Sequence, residues 1–240
     1  MKKFLASLVL LAATASIAGA QSNTPMAQAA HTGAWEFGPI VQGGKGVTDQ
    51  RDDFKSISAG VHVGKVLTPE LLSNHAWRGN FEYAGEFYPF WQSYTPKFDR
   101  VKCLPAPAPV AFTCSGPYTV GGTFSGMTIT PIILRWNFTR GHRIMPWFQG
   151  AGGILWTNHK YPAYPAANAD VNLRNYGADA NASVWNFTPQ GGIGIHIFVK
   201  PKRSFDLGAN AVHISSASLG DRNPGVNASV QFTAGYTWWK

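Results

Sequence analysis

The sequence predicts an all-β protein, an eight-stranded antiparallel transmembrane β-barrel with long extracellular loops. Apolar and polar residues alternate along many segments, which is the period-2 pattern of strands with one apolar face. The chain is 13% aromatic and only 13% charged, as expected where outward faces meet lipid and inward faces are polar. After the N-terminal segment, no apolar run approaches the ~20 residues that a transmembrane helix needs.

The first twenty residues have the features of a secretory signal peptide. Two lysines are followed by an apolar run over residues 4–13 and by the small-x-small sequence Ala18-Gly19-Ala20, which is typical of a cleavage site. We therefore predict export with residues 1–20 removed. Residues 21–31 are small and polar and predict a flexible lead, and residues 32–240 form the barrel.

Eight segments carry the strand pattern in chain order. The predicted strands cover residues 35–42, 57–64, 80–87, 123–138, 145–156, 185–199, 205–215 and 226–239. The predicted long or charged loops cover residues 43–55, 92–120, 157–181 and 220–225, and the shortest turns are 140–143 and 201–203. An even number of strands, with long loops at one end and short turns at the other, is typical of outer-membrane barrels.

A β-sandwich is the alternative architecture. Its edge strands would need protection from pairing with other chains, and its outer faces should be polar. The sixth predicted strand has Trp185, Phe187 and Ile193 on one face and Asn186 and Thr188 on the other. Together with the loop pattern, this apolar face favours the barrel.

Charged side chains fall on the inward rows of the predicted strands. They are Glu36, Glu82, Glu86, Asp206, Arg135, His62 and His196. A pair of carboxylates can perform acid–base catalysis. The lumen of an eight-stranded barrel is filled by side chains, however, and charges there normally pair with one another. We therefore interpret this set as a structural network.

Composition also limits the classes of partner. The net charge of +8 could suggest nucleic acid, but export and the lack of a Lys/Arg cluster argue against it. A positive surface could instead favour the phosphates of lipopolysaccharide, or serve only solubility. Cys103 and Cys114 predict one disulfide in an exported protein, since a metal site would need more His or Cys nearby.

His213 and Ser215 continue the apolar row of the seventh predicted strand, after Phe205 and Leu207. Residues i and i+2 of a strand lie about 6–7 Å apart at Cα, so an imidazole can reach the hydroxyl and act as base for a serine nucleophile. The alternative is a polar pair at the barrel rim that binds headgroups or water. Because His-x-Ser is a short motif, spacing alone favours that alternative.

The segment from His213 to Leu219, followed by Asn223-Pro224-Gly225-Val226-Asn227, resembles the signature of the lipid A 3-O-deacylase (acyloxyacyl hydrolase-like) family. Members of that family are eight-stranded outer-membrane barrels that hydrolyse an ester-linked hydroxyacyl chain of lipid A. They use a Ser-His-Glu triad on the lipid-facing wall. The resemblance implies Ser215 as nucleophile, His213 as general base, and lipid A or lipopolysaccharide as substrate. We predict no cofactor and no metal.

Two positions depart from the family pattern. The family Asn that helps to form the oxyanion hole is Ser216 here, whose hydroxyl can still donate one hydrogen bond. The family Glu, fourteen residues after the His, is Asn227, and an amide cannot stabilise an imidazolium as a carboxylate does. Alternation puts Asn227 on the inward row unless a bulge shifts it. Asp221, in the preceding loop, is the alternative partner of His213.

These departures motivate a second hypothesis, a non-catalytic outer-membrane barrel of the same ancestry that serves surface binding or membrane structure. A third hypothesis is a barrel that encloses a small ligand. The sequence offers no set of convergent inward residues that would form such a pocket.

Overall fold

The computed structural model describes residues 24–48, 51–100, 103–105, 112–114, 116–161, 183–217 and 226–240. The predicted signal peptide and Asp221 lie outside these residues. Among the described residues, no helix is long and apolar enough to cross a membrane.

Strands make up most of the described chain. It contains one short helix, α1 (Pro25–Ala29), followed by the strands β1 (Trp35–Gly46), β2 (Lys55–Val66), β3 (Gly79–Arg100), β4 (Cys103–Pro105), β5 (Phe112–Cys114), β6 (Tyr118–Phe138), β7 (Ile144–Thr157), β8 (Trp185–Phe187), β9 (Gln190–Lys200), β10 (Arg203–His213) and β11 (Ala228–Trp239).

Nine of the strands form one antiparallel sheet that closes on itself. Its neighbours run β6-β3-β2-β1-β11-β10-β9-β7, and a ladder between β6 and β7 completes the ring. Strand β8 also pairs with β7, beyond the point where β9 begins, so β8 and β9 together form one wall. The closed barrel therefore has eight walls, which confirms the predicted fold class.

The two faces of each wall follow the alternation in the sequence. On β1, Trp35, Phe37 and Val41 are exposed, whereas Glu36 and Gln42 are buried in the lumen. This arrangement leaves apolar side chains for lipid contact, while polar side chains find partners inside. A closed ring also satisfies every backbone amide and carbonyl within the membrane, which an open sheet could not do.

The predicted loop over residues 92–120 is wrong for most of its length. β3 has 22 residues and β6 has 21, and their pairing continues to Arg100 opposite Tyr118. The ladder contains three register shifts, the last between Thr95 and Phe98. Each bulge shifts the side-chain alternation by one residue, so the period-2 pattern that predicts strands is lost there.

The sixth predicted strand is interrupted. β8 ends at Phe187 and β9 begins at Gln190, because Pro189 has no amide to donate to a neighbouring strand. Gly153 and Thr188 still exchange backbone hydrogen bonds of 3.3 and 2.8 Å, which hold the two parts of this wall in line.

An apolar cluster fills each end of the barrel. At the end with the shorter turns, Met26 and Ala29 of α1 pack with Met145, Phe198 and Trp239. Residues 21–31, predicted as a lead, thus include a helix with two buried side chains. Residues 21–23 lie outside the described chain. In outer-membrane barrels the end with shorter turns faces the periplasm. The cluster at the extracellular end comprises Phe54, Trp91, Phe124, Leu155, Tyr161, Val212 and Ile214.

The charged lumen residues pair with one another between these clusters. Arg135 donates to Glu36 at 2.9 Å and to Glu82 at 3.1 Å, and the His62 ring bonds to Glu36 and, at 3.3 Å, to Glu86. His196 and Asp206 form a further pair at 2.5 Å. Arg135 thus links β6 to β1 and β3 across the lumen.

Replacing Arg135 with Met should destabilise the barrel. Removing one partner from a buried ion pair typically costs about 3–5 kcal/mol, because the remaining charge is left without compensation; here Glu82 would lose its cation and Glu36 would keep only His62. Urea unfolding in phospholipid vesicles, followed by tryptophan fluorescence, would measure the change. The exposed Lys55→Met variant is the control, expected within about 0.5 kcal/mol of wild type. Equal stability of the two variants would contradict this role for Arg135.

Candidate active site

His213 lies at the last position of β10, where the strand reaches the extracellular rim. Its backbone amide donates to Pro189 O at 3.0 Å, and the amide of Ile214 donates to Asn227 O at 2.9 Å. Val212 and Ile214, on either side of His213, are buried in the extracellular cluster. Because neighbouring side chains point to opposite faces, His213 belongs to the outward row, as predicted, and is half-buried.

Ser215 is held on the same wall by an isolated bridge to β8. Its amide donates to Phe187 O at 3.0 Å, and its carbonyl accepts from the Phe187 amide at 2.6 Å. The Ser215 Oγ accepts from the Ala217 amide at 3.2 Å, a local turn of the kind serine often forms. Ala217 has φ +46°, in the left-handed region, so the chain turns sharply just after Ser215.

The His213 ring is oriented by the main chain of Asn227. Its Nδ1 lies 3.1 Å from Asn227 O, and among the described residues this is the only hydrogen bond of the ring. The hydrogen bond described for the Ser215 hydroxyl is the one from the Ala217 amide, and no described hydrogen bond joins this hydroxyl to the His213 ring. No described carboxylate contacts His213, and Asp221 lies outside the described residues.

The Asn227 side chain points away from the outer wall. It is buried, with 4% of its surface exposed, and lies close to the hydroxyl of Tyr161. Tyr161 is in turn hydrogen-bonded to Ser93 at 3.0 Å. Asn227 is thus on the inward row, as alternation predicted, and the group of this residue that reaches His213 is its carbonyl.

Ser216, the predicted oxyanion donor, is 1% exposed. Its hydroxyl has no hydrogen-bond partner among the described residues. The hydroxyl is therefore free to donate, but it belongs to a buried side chain, whereas Ser215 is half-buried.

An open trough of about 550 Å³ lies against His213 on the outer wall. Its floor is made of small residues, since Ala211 is opposite Gly191 on β9, and Gly191 is opposite Gly150 on β7. The adjacent positions toward the periplasm are large, with Ile193 and Phe148 both exposed. The small row thus forms a recess in an otherwise bulky apolar wall.

The other predicted groups lie elsewhere. Cys103 is opposite Cys114 in the β4–β5 hairpin, and Cys114 is disulfide-bonded. In the lumen, potential ligand atoms of Glu36, His62 and Glu82 lie within 4.8 Å of one another. His62 and Arg135 already bind these carboxylates, so the trio is part of the ion-pair network.

Sequence reasoning missed the trough and the main-chain partners of the site. Gly150 and Gly191 only weaken the alternation of their own strands, and nothing local indicates that they lie side by side. Pro189 and Phe187 contribute backbone carbonyls, which leave no signature in residue type. A signal existed for Asn227, because its position after the turn already put its side chain inward.

Comparisons with known proteins relate the chain to one family and to several barrels. The family model described as lipid A 3-O-deacylase (PagL) matches residues 70–237 of the chain. No curated protein sequence matches it. Among solved structures, the chain is similar to the outer membrane enzyme PagL, with 12% identity, 83% of this chain and 98% of that one covered, and a TM-score of 0.44. It is also similar to Neisserial surface protein A (12% identity, 86% and 98% covered, TM-score 0.46). A third similar structure is OprG from Pseudomonas aeruginosa (8% identity, 89% and 98% covered, TM-score 0.45).

The His213 ring should carry its proton on Nδ1 when neutral. A carbonyl oxygen can only accept a hydrogen bond, so the nitrogen that faces Asn227 O must donate. The ¹⁵N shifts of labelled histidine in detergent micelles distinguish the two tautomers, with His213→Gln assigning the signal. Asn227→Ala should leave the tautomer unchanged, because it keeps the carbonyl. A proton found on Nε2 would contradict this geometry.

Proposed function

Since the chain belongs to the lipid A 3-O-deacylase family, we propose that it is an outer-membrane esterase that removes an ester-linked acyl chain from lipid A or lipopolysaccharide. The observation that carries the proposal is the position of His213 and Ser215 on one outward row at the rim, where His213 lines a trough of small residues. A base, an alcohol and an apolar recess are the parts that an acyl ester hydrolase needs at the membrane surface.

Ser215 is the nucleophile in the proposed mechanism and His213 its general base. With Nδ1 bound to the Asn227 carbonyl, Nε2 is the ring nitrogen that accepts the Ser215 proton as Oγ attacks the ester carbonyl. The imidazolium then protonates the sugar oxygen that leaves, and water releases the acyl chain in the reverse sequence. Catalytic hydrogen bonds are often long or poorly aligned before substrate binds, so this mechanism requires the His213–Ser215 bond only in the complex with substrate.

A triad carboxylate fixes the tautomer of the histidine and stabilises the imidazolium, and the Asn227 carbonyl performs the first of these two tasks. In serine proteases, exchanging the triad acid for an amide lowers turnover about 10⁴-fold, because the amide fixes the wrong tautomer. Here the Asn227 amide is turned inward, and the main-chain oxygen favours the productive tautomer. A neutral carbonyl stabilises the imidazolium less than a carboxylate does, so we expect a slow enzyme.

The trough explains how a lipid substrate could reach this site without leaving the membrane. An acyl chain lying over Gly150, Gly191 and Ala211 would stay in the apolar layer, while its ester lies at the level of His213. Burial of such a chain contributes about 0.8 kcal/mol for each CH₂ group removed from water, but little is needed here because the chain is already in lipid. The trough thus positions the acyl chain relative to His213 and contributes little to its binding affinity.

A non-catalytic barrel is the second candidate. Two observations favour it: no described carboxylate contacts His213, and Ser216 is buried. The long β3 and β6 strands of 22 and 21 residues also extend beyond the 12-residue β1 and β2 and provide an extracellular surface that could serve binding.

Ser215→Ala should abolish deacylation. In a Gram-negative host, mass spectrometry of lipid A should show loss of one hydroxyacyl chain with wild type and none with Ser215→Ala, since the nucleophile is lost. Ser216→Ala is the comparison variant and should slow deacylation by about 10²–10³-fold at most, the range for loss of one oxyanion donor, so activity should remain detectable. Activity that survives Ser215→Ala would refute the mechanism. Lipid A left intact by wild type across several acylation types would favour the non-catalytic barrel.

Filling the trough should reduce activity on long acyl chains alone. A Cβ at Gly150 meets no atom within 4 Å, so Gly150→Leu should fold normally. We expect kcat/KM for a long-chain ester to fall by about 10-fold or more, as for steric loss in a hydrophobic site, while a butyrate ester is hydrolysed as by wild type. Gly152→Leu is the control, because Gly152 has equal space and lies outside the trough. Equal effects on both esters would argue against acyl binding there.

A further inference from the structure

Exposed cations line the periplasmic end of the barrel. They come from the β6–β7 turn, the β9–β10 turn and the end of β11, and all six side chains are exposed. We call this set the basic arc: Arg140, Arg143, Lys200, Lys202, Arg203 and Lys240.

The fold makes the basic arc continuous around neighbouring walls. Arg203 is directly opposite Lys200 across the β9–β10 ladder. On one side, the Phe198 amide donates to Arg143 O at 2.7 Å, and on the other side Trp239 N donates to Lys202 O at 2.9 Å. The cations of β7, β9, β10 and β11 therefore follow one another along the rim, although they are about 100 positions apart in sequence at the extremes.

No side-chain carboxylate neutralises the basic arc among the described residues. The exposed acid described at this end is Glu70, which is already paired with Arg78 at 2.7 Å and accepts from Thr139 at 2.7 Å. The extracellular end differs, because its exposed charges are of both signs. Those described are Lys45, Lys55, Lys97 and Lys160 with Asp52, Asp53 and Asp99.

A belt of aromatic side chains adjoins the basic arc on the outer wall, where Trp238 is opposite Arg203 on the neighbouring strand. Phe37 stacks on Trp238 with ring centroids 5.9 Å apart, and Tyr236 packs between Trp238 and Phe205 at 5.1 Å from each. Such aromatic belts lie at the level of the lipid headgroups. The position of the belt therefore places the basic arc at the depth of the lipid phosphates in the periplasmic leaflet.

One lysine shows how a cation fits this level. The Nζ of Lys65 lies 4.9 Å from the ring centroid of Trp35, a cation–π contact. Lys65 is on β2, and β1 lies between this strand and β11. The charge of this lysine therefore lies against an aromatic ring of the outer wall. Long basic side chains at membrane interfaces take this arrangement because stem and head prefer different layers.

We propose that the basic arc is a docking surface for anionic phospholipid headgroups of the periplasmic leaflet. The six cations lie at headgroup depth, and none has a described side-chain carboxylate partner. Their positive charge is therefore complementary to a headgroup with a net negative charge. The arginines bind a phosphate by two-pronged hydrogen bonds and the lysines by point charge. The surface lies at the opposite end of the barrel from His213 and Ser215. It therefore binds lipid whether or not the protein is an esterase.

Native mass spectrometry of the purified full-length barrel tests the proposal. The protein is released from detergent micelles that contain equimolar phosphatidylglycerol and phosphatidylcholine, and the lipids retained are counted. Wild type should retain phosphatidylglycerol over phosphatidylcholine by about tenfold or more, because several cations near one surface act together. The Arg143→Gln, Lys200→Gln, Arg203→Gln triple variant should show less than about twofold preference by the same principle.

A second triple variant separates the basic arc from total charge. Lys45→Gln, Lys55→Gln, Lys97→Gln removes three exposed cations from the extracellular end and should keep the wild-type preference. Circular dichroism and heat-dependent gel mobility check that both variants are folded. Equal retention of the two lipids by wild type would overturn the proposal, and so would an equal loss of preference in both variants.

Discussion

Closure of the sheet is the constraint on which the rest of this structure depends. In hydrocarbon an unpaired amide or carbonyl costs several kcal/mol, so every backbone group of a spanning segment needs a partner within the protein. The ladders from β1 through β11 and back to β1 meet that demand. Once the ring is closed, each strand has only two environments available, lipid outside and a narrow lumen inside. The period-2 alternation of the sequence follows directly.

The lumen and the outer wall consequently have different chemistry. Inside, Arg135 and His62 pair with Glu36, Glu82 and Glu86, and this network links strands that are distant in sequence. Charges buried in this way stabilise the barrel only as a complete set, because any one of them left alone would be costly. Acid–base residues in the lumen are thus occupied by one another and are not available for a substrate.

The proposed active site lies on the outer wall where the barrel leaves the membrane. There the strands end and turns begin. A residue such as Asn227 can therefore direct its side chain to the interior while its backbone carbonyl accepts a hydrogen bond from a side chain on the outer wall. The extracellular aromatic cluster supports this edge, since Val212 and Ile214 anchor the chain on both sides of His213. The same wall also offers a recess formed by three small residues. Under the proposed function, a substrate would reach this lipid-facing site by lateral diffusion within the leaflet.

The sequence alone determined the eight walls, the face of the residues in the regularly alternating segments, and the presence of His213 and Ser215 on one outward row with Asn227 turned inward. These features depend on the alternation of apolar and polar residues, which is local and can therefore be recognised from the sequence of a single strand. Tertiary structure alone decided the extension of β3 and β6, the break at Pro189, the trough shared by three strands, and the carbonyl that orients His213. Bulges hide register from the local pattern, and main-chain groups are the same in every residue. Which strands meet at a given level is fixed only when the ring closes.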